Sequence, residues 1–407
     1  MGVRAVAAGR LRVVVLGAGF GGLEVATRLS AARLSTDRGE GIEVTLVDRG
    51  EGFVFGFSKL DVMFGRTDLA HTVLPYADCV HPGVRMVRSE VRAIDPVRRL
   101  VELDSGVVEA DVLVVALGAD LDPAATPGLT ERGHEFYSVA GAVAAGEALD
   151  RFSGGRVVVA VTSTPFKCPP APSETALMLH DHLVERGLRD RSEIALVSPL
   201  PTPIPPSPQA SAAILSAFAE RGIAWHPRQL VRSVEAGSGS SRLAAVLGDG
   251  TELPCDLLLA VPRHRAPAVV VDAGLTDDGW IPVDPRTLRT RYPDVYAVGD
   301  VTSVGTPKAG VFAEGQAGVV AEQILRRVEG GGSTSEAAYD GRGICYMEFG
   351  GDRIAKVDVT FTPGAAPHGE MEGPSLALAA DKARFGAERA ARWFGRDWTP
   401  VEGAPVG

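Results

Sequence analysis

The chain has 407 residues, 23% of them charged and 45% hydrophobic, with a formal net charge of −10 at pH 7. That length exceeds one compact core and predicts two or three domains at about 150 residues each, and the acidic balance excludes the basic face of a nucleic-acid binder. No apolar run approaches the roughly 18 residues of a membrane-spanning helix. Arg10 and Arg12 interrupt the start, so it lacks a secretory signal core, and a cytoplasmic location is expected. Four cysteines in such a chain predict no structural disulfide framework; a pair that does bond is more plausibly redox-active.

Residues 12–16 (RVVVL) read as a buried strand, followed by Gly17-Ala-Gly19-Phe20-Gly21-Gly22 and a helical pattern with Leu23, Ala26 and Leu29 on one face. A second strand over 43–47 ends in Asp48, 26 residues after Gly22; the polar stretch 35–41 reads as an insertion that accounts for the delay. Glycines let backbone approach a pyrophosphate at a helix N-terminus, and the acid accepts ribose hydroxyls. Two distant stretches add to this. Residues 111–119 (DVLVVALGA) are a buried strand running through Ala116 to Gly118, and 295–300 (VYAVGD) a strand ending in Gly299-Asp300. Together the three segments resemble the FAD contacts of the glutathione-reductase-like flavoproteins. The resemblance implies an α/β fold of two Rossmann-like domains, with Asp300 on the ribityl chain and a helix over 309–324, opened by Ala309-Gly310, aimed at the flavin ring. FAD is the expected cofactor, and no metal ligand set is assigned.

The middle of the chain fits a second Rossmann-like domain, with a strand over 156–161, a helix over 173–186 capped by Gly187, and a strand over 193–197. Residues 199–208 hold six prolines and read as a stiff surface loop; 256–261 (DLLLAV) closes the domain. Beyond about residue 333, strands over 344–349 and 354–361 alternate around Gly350-Gly351-Asp352 as a hairpin, and 381–394 is helical. The expected division is an FAD domain of 1–120 and 278–332, a second Rossmann-like domain of 121–277, and a small α+β domain of 333–407.

The first turn of the middle domain, 162–172 (TSTPFKCPPAP), contains no glycine, and the strand after it ends without an acid for ribose or an arginine for a 2′-phosphate. Both determinants of NAD(P)H binding are therefore absent. In their place stands Cys168. PFKCPPAP and YDGRGICYMEF, bearing Cys345, resemble the two redox-cysteine segments of the sulfide:quinone oxidoreductases and of the flavocytochrome c sulfide dehydrogenase flavoprotein. AGVFAEGQA at 309–317 and ARWFG at 391–395 extend the match over nearly the whole chain. The resemblance implies a Cys168–Cys345 disulfide beside the flavin, Glu174 as an acid or base, a small sulfur substrate, and a quinone or other electron acceptor. Lys167 and the following helix N-terminus would favour a thiolate at Cys168 if they point that way.

Other readings stay open at this stage. Cys345 shares a face with Met347 and Phe349, as a core residue would, and Glu174 is also a favourable first-turn acid. Lys308 either supports the reduced flavin or is a solvated loop lysine. The apolar 53–64 stretch, Trp393 and Phe394 either pack or line the cofactor pocket. Cys79 and Cys255 match no redox motif and read as structural. Three departures qualify the resemblance: there is no cysteine between 1 and 78, so FAD is expected to bind non-covalently; no third cysteine stands near 119–126; and the charged 381–394 helix supports membrane contact weakly. The competing functions are an NAD(P)H-dependent FAD oxidoreductase, like an NADH:quinone or ferredoxin reductase, and a flavin protein whose cysteines only sense redox state.

Overall fold

In the computed structural model the described residues are 10–35, 41–239, 241–328 and 337–401. Leu11–Leu16 is buried on both faces, as a central strand of a covered parallel sheet must be. It pairs in parallel with Ile42–Asp48 on one side and Val112–Val115 on the other. Val84–Arg88 and Val295–Ala297 complete five parallel strands. The turn after the first strand needs its glycines: a Cβ on Gly17 (φ +96°) would lie 2.4 Å from the Ala116 carbonyl oxygen, and one on Gly22 1.8 Å from that of Gly17. The helix that follows, Phe20–Ser35, ends at the edge of the proposed insertion, whose residues 36–40 lie outside the described ones.

A second five-stranded parallel sheet repeats the plan, in the order His134–Glu135, Leu257–Val261, Gly155–Val161, Ser192–Val197, Ile223–His226. Each sheet is accompanied by a three-stranded antiparallel meander, at Val91–Asp95, Leu100–Leu103 and Gly106–Glu109, and at Val231–Ala236, Leu243–Leu247 and Glu252–Cys255. The chain passes between the two halves twice, and the crossings pair with each other as Asp120–Asp122 and Arg263–Arg265. The fold is thus the α/β arrangement of two Rossmann-like units that the resemblance implied.

The C-terminal part is larger than a hairpin. Arg342–Glu348 and Ile354–Thr360 pair antiparallel, and His368–Ser375 adds a third strand that sequence reading missed because its HGEMEGPS carries no alternation. The final helix begins at Ala377 rather than 381 and runs to Phe394. Its charges are only in part a solvated face: Glu388 is exposed, whereas Lys382 is buried. Arg389 and Arg392 pair with Glu314, and Arg392 lies 2.9 Å from the buried Glu24, which also accepts from Trp393 Nε1 at 2.8 Å. These bonds tie the helix to Phe20–Ser35 and to Gly310–Val328. Trp393 is fully buried, edge-on to Phe20 and Phe53. The proline loop is also less exposed than expected. Ile204 is buried, and Pro208 opens the Pro208–Arg221 helix behind a Ser207 cap. One apolar core spans both halves and the C-terminal sheet, with Phe53 and Phe55 inside it.

Candidate active site

The two halves and the C-terminal sheet enclose a cavity of about 360 Å³. Gly19, Phe20, Gly21, Ala116, Gly118, Gly299, Asp300, Lys308, Ala309 and Gly310 line it, and so do Cys168, Glu174 and Cys345. Of the residues singled out in the sequence, Gly17, Gly22 and Asp48 sit outside the wall: the two glycines close the turn beneath it, and Asp48 ends its strand. The Asp48 carboxylate accepts from the N–H of Ala18 at 2.8 Å and of Gly50 at 2.7 Å, so its orientation is fixed. Gly310 is needed because the Phe20 ring lies 2.5 Å from where a Cβ would stand.

The apolar 53–64 stretch does both things asked of it: Phe55 packs, while Phe53, Phe57, Lys59 and Leu60 reach the cavity. Trp393 is not part of the wall, and Lys308 is neither solvated nor turned freely towards the cavity. Its ammonium donates to the carbonyls of Asp300 at 2.6 Å and Thr302 at 3.0 Å and lies 3.3 Å from the centre of the Trp280 ring. Burial lowers its pKa to about 8. Burial raises the Asp300 carboxyl, opposed by Lys167, Lys308 and Lys59. Lys59 is a site residue that sequence reading missed. It hydrogen-bonds the Tyr137 carbonyl, and burial and then Lys167 lower it to about 8. Its only signal was a cation within an apolar run.

Cys168 occupies a left-handed backbone conformation (φ +48°), uncommon for a residue with a side chain. Three hydrogen bonds hold it there: its N–H donates to the Lys308 carbonyl at 2.7 Å, and its own carbonyl accepts from the Ala171 N–H at 2.9 Å and the Tyr137 hydroxyl at 3.5 Å. Buried His264 supports the same loop. Its Nδ1 donates to the Pro262 carbonyl at 2.9 Å and its Nε2 accepts from the Lys167 N–H at 3.4 Å, which fixes the neutral ring. Burial, then Lys167, lowers its pKa to about 3.

The condition under which Lys167 would favour a thiolate at Cys168 is not met. Lys167 turns away, its ammonium on the Ala119 carbonyl at 3.2 Å. Burial raises the thiol well above its usual range, Cys345 and Glu174 add to this, and the Ala171 N–H and Lys59 oppose it only in part. Burial pushes Cys345 to about 12, with Glu174 contributing. The two sulfurs are not bonded to each other in this structure. Cys79 and Cys255 are buried far from this wall, each raised by burial to about 11. Glu174, in the first turn of Ala171–Glu185, is 4% exposed and accepts from the Glu348 N–H at 3.0 Å. Burial raises it to about 7.

The wall fits FAD. No atom stands within 4 Å of where a Cβ on Gly19 or Gly118 would be, which leaves bare backbone for phosphates; the Phe20–Ser35 and Gly310–Val328 helices present N-terminal N–H groups, and Asp48 and Asp300 offer acceptors to hydroxyls. A Cβ on Gly56 would likewise meet nothing.

The comparisons agree with this geometry. The family model of the pyridine nucleotide-disulphide oxidoreductases matches residues 11–317. The chain is similar to the mitochondrial sulfide:quinone oxidoreductase of Mus musculus, 25% identical over 86% of this chain and 78% of that one. It is also similar to the type II NADH:quinone oxidoreductase of Staphylococcus epidermidis, 32% identical over 32% of each chain. The solved structure of the sulfide:quinone oxidoreductase from Aquifex aeolicus superposes with a TM-score of 0.74 at 21% identity, covering 98% of this chain and 99% of that one. The family match over more than half of this chain shows that it belongs to the pyridine nucleotide-disulphide oxidoreductase family, as an FAD-dependent oxidoreductase.

Proposed function

We propose that the protein oxidises hydrosulfide, or a related small sulfur species, through Cys168 and Cys345 and passes two electrons by way of FAD to a quinone or other acceptor. The observation that carries this reading is the shared cavity: two cysteines on separate segments, 168 and 345, line the same cavity as the flavin-type turns. FAD, bound non-covalently since no cysteine precedes residue 79, supplies the two-electron acceptor. The chain's own residues do the rest. Hydrosulfide attacks one sulfur of the oxidised pair; the S–S bond breaks, one cysteine carries a persulfide and the other leaves as a thiolate. A second hydrosulfide takes the outer sulfur of the persulfide and leaves as disulfanide, and the two cysteine thiolates that remain give up two electrons to the acceptor that FAD would supply as their S–S bond reforms. Glu174 is placed to take or return the proton.

The nicotinamide alternative has support in the short Staphylococcus match but not in the second turn. That turn lacks glycine, and Gly369 of the third C-terminal strand lies against the proline loop, where a Cβ would be 3.3 Å from the Pro206 carbonyl oxygen. The rings of Phe57, Tyr346 and Phe385 give the cavity an apolar end suited to a quinone. Among the described residues no helix is long and apolar enough to cross a membrane. A cytoplasmic location, with contact at the inner membrane face where quinone resides, goes with this reading, as does the division at residues 120, 278 and 333.

The test is an anaerobic titration of the yellow protein with sulfide and, separately, NADH, followed by flavin absorbance. Sulfide bleaches it and NADH does not. Bleaching by NADH alone overturns the reading, and bleaching by neither favours a redox sensor. Cys168→Ala and Cys345→Ala should each retain FAD and lose sulfide-driven reduction; a fully active Cys345→Ala sinks the disulfide mechanism.

A further inference from the structure

Glu174 is one of three buried carboxyls, with Asp61 and Glu348, that share the cations Lys382 and Arg66. The sharing is unequal. Glu348 holds both cations, its Oε1 accepting from Lys382 Nζ at 2.5 Å and its Oε2 lying 3.3 Å from Arg66. Asp61 has Arg66 at 3.5 Å. Glu174 has Lys382 alone, at 4.0 Å. With Asp352 on Arg66, four carboxyls surround two cations; of the three buried ones Asp61 and Glu174 each have one cation, burial raises both, and the cation of Glu174 is the more distant.

The cluster also has a second outlet. Asp61, Arg66, Glu348, Asp352 and Lys382 line another cavity, of about 500 Å³, whose lining does not include the cysteines, and Lys382 belongs to the walls of both. Asp352 there is exposed and pairs with Arg66 at 2.9 Å.

We infer that Glu348 is a positioning residue: by capturing Lys382 it holds that ammonium off Glu174, so that Glu174 is the carboxyl of the cluster that takes up and gives back a proton beside Cys168 and Cys345. The charges facing Glu174 agree. Lys382 on the C-terminal helix lowers its proton affinity, whereas Glu348 on the neighbouring strand and Asp61 on Ser58–Met63 raise it. Cys168, Cys345 and Tyr137 feel its carboxylate from the cavity side. Burial alone would push Glu348 up as well, but Lys382 and Arg66 outweigh it and hold that carboxyl below its usual range. The use of this proton in sulfur chemistry rests on the function proposed above; its location does not.

The experiment is a pH titration of the resting holoenzyme by infrared spectroscopy of the protonated carboxyl band, assigned to Glu174 by its loss in Glu174→Gln. The wild-type band disappears with a midpoint of about 7. In Glu348→Gln the midpoint falls by about one pH unit or more, because a negative neighbour is gone and Lys382 is free to approach. In Lys382→Met it rises. Asp352→Asn leaves it in place. A merely structural role for Glu348 would shift the melting temperature and leave the midpoint alone. An unchanged or raised midpoint in Glu348→Gln overturns the inference; if that variant does not fold, an unchanged or lowered midpoint in Lys382→Met does so instead. No sulfide is used, so a protein that sulfide fails to bleach overturns the function and leaves this result standing.

Discussion

The two parallel sheets follow the same plan, yet the loops that leave their central strands differ. After Leu11–Leu16 the backbone strain falls on Gly17 (φ +96°), and the turn is bare; after Gly155–Val161 it falls on Cys168 (φ +48°), and the turn carries a thiol. The first loop closes on its own backbone, so at Gly17 and Gly22 it tolerates no Cβ. The second has hydrogen-bond partners of its own that hold a side-chain-bearing residue in the left-handed region, and it presents chemistry instead of space. Equivalent places in a duplicated fold can thus be specialised by whether the strained position is empty or filled.

The largest way to break this comparison is Gly22→Ala. With the Gly17 carbonyl oxygen 1.8 Å from the new Cβ, the turn cannot keep its shape, and the purified protein should be colourless, with a flavin-to-protein absorbance ratio near zero. At the filled turn, Glu174→Gln should keep the colour and slow sulfide-driven flavin reduction by about 10²-fold in stopped flow.

The same carboxyl gives a pH dependence of stability. Its folded pKa of about 7 lies above the model-peptide value of 4.5, so the folded state binds the proton more tightly. The resulting stabilisation is complete below pH 4.5 and is lost as pH rises through about 7, amounting to about 3 kcal/mol. Denaturant midpoints should decline over that window in the wild type, and less steeply in Glu174→Gln. A smaller loss, about 2 kcal/mol, is expected for Trp280→Leu, which removes the ring beneath the buried Lys308 ammonium. The smallest effect sharpens the contrast: glycines introduced as Thr164→Gly and Lys167→Gly should confer no NADH-driven bleaching, because the strand Ser192–Val197 still ends without an acid.

The parts of the fold that could be read in the sequence were those whose signal is local. Strand, glycine turn and helix appear within 16 residues of one another around Gly17, and PFKCPPAP announces Cys168 by itself. What escaped were side chains whose meaning depends on distant partners. Lys382 looked like one of several charges on an outer helix face, and only the approach of Glu348, 34 residues earlier, turns it into a buried pair. Lys59 was hidden in an apolar run, and the third C-terminal strand lacked alternation because both of its neighbours, the hairpin and the proline loop, accept small or polar residues such as Gly369. Lys167 misled for the opposite reason. Its adjacency to Cys168 in sequence placed its charge near the thiol on paper, while its side chain extends to Ala119.

The bond from the Cys168 N–H to the Lys308 carbonyl, together with the bridge between Lys167 and Lys308, joins the sulfur-bearing loop directly to the residue two before the flavin-facing helix. These two contacts couple the loop of one half to the helix start of the other through backbone rather than through side-chain packing alone. Any motion that separates the two halves here must first break that bond and bridge, so the Cys168 loop and the start of the Gly310–Val328 helix should move as one.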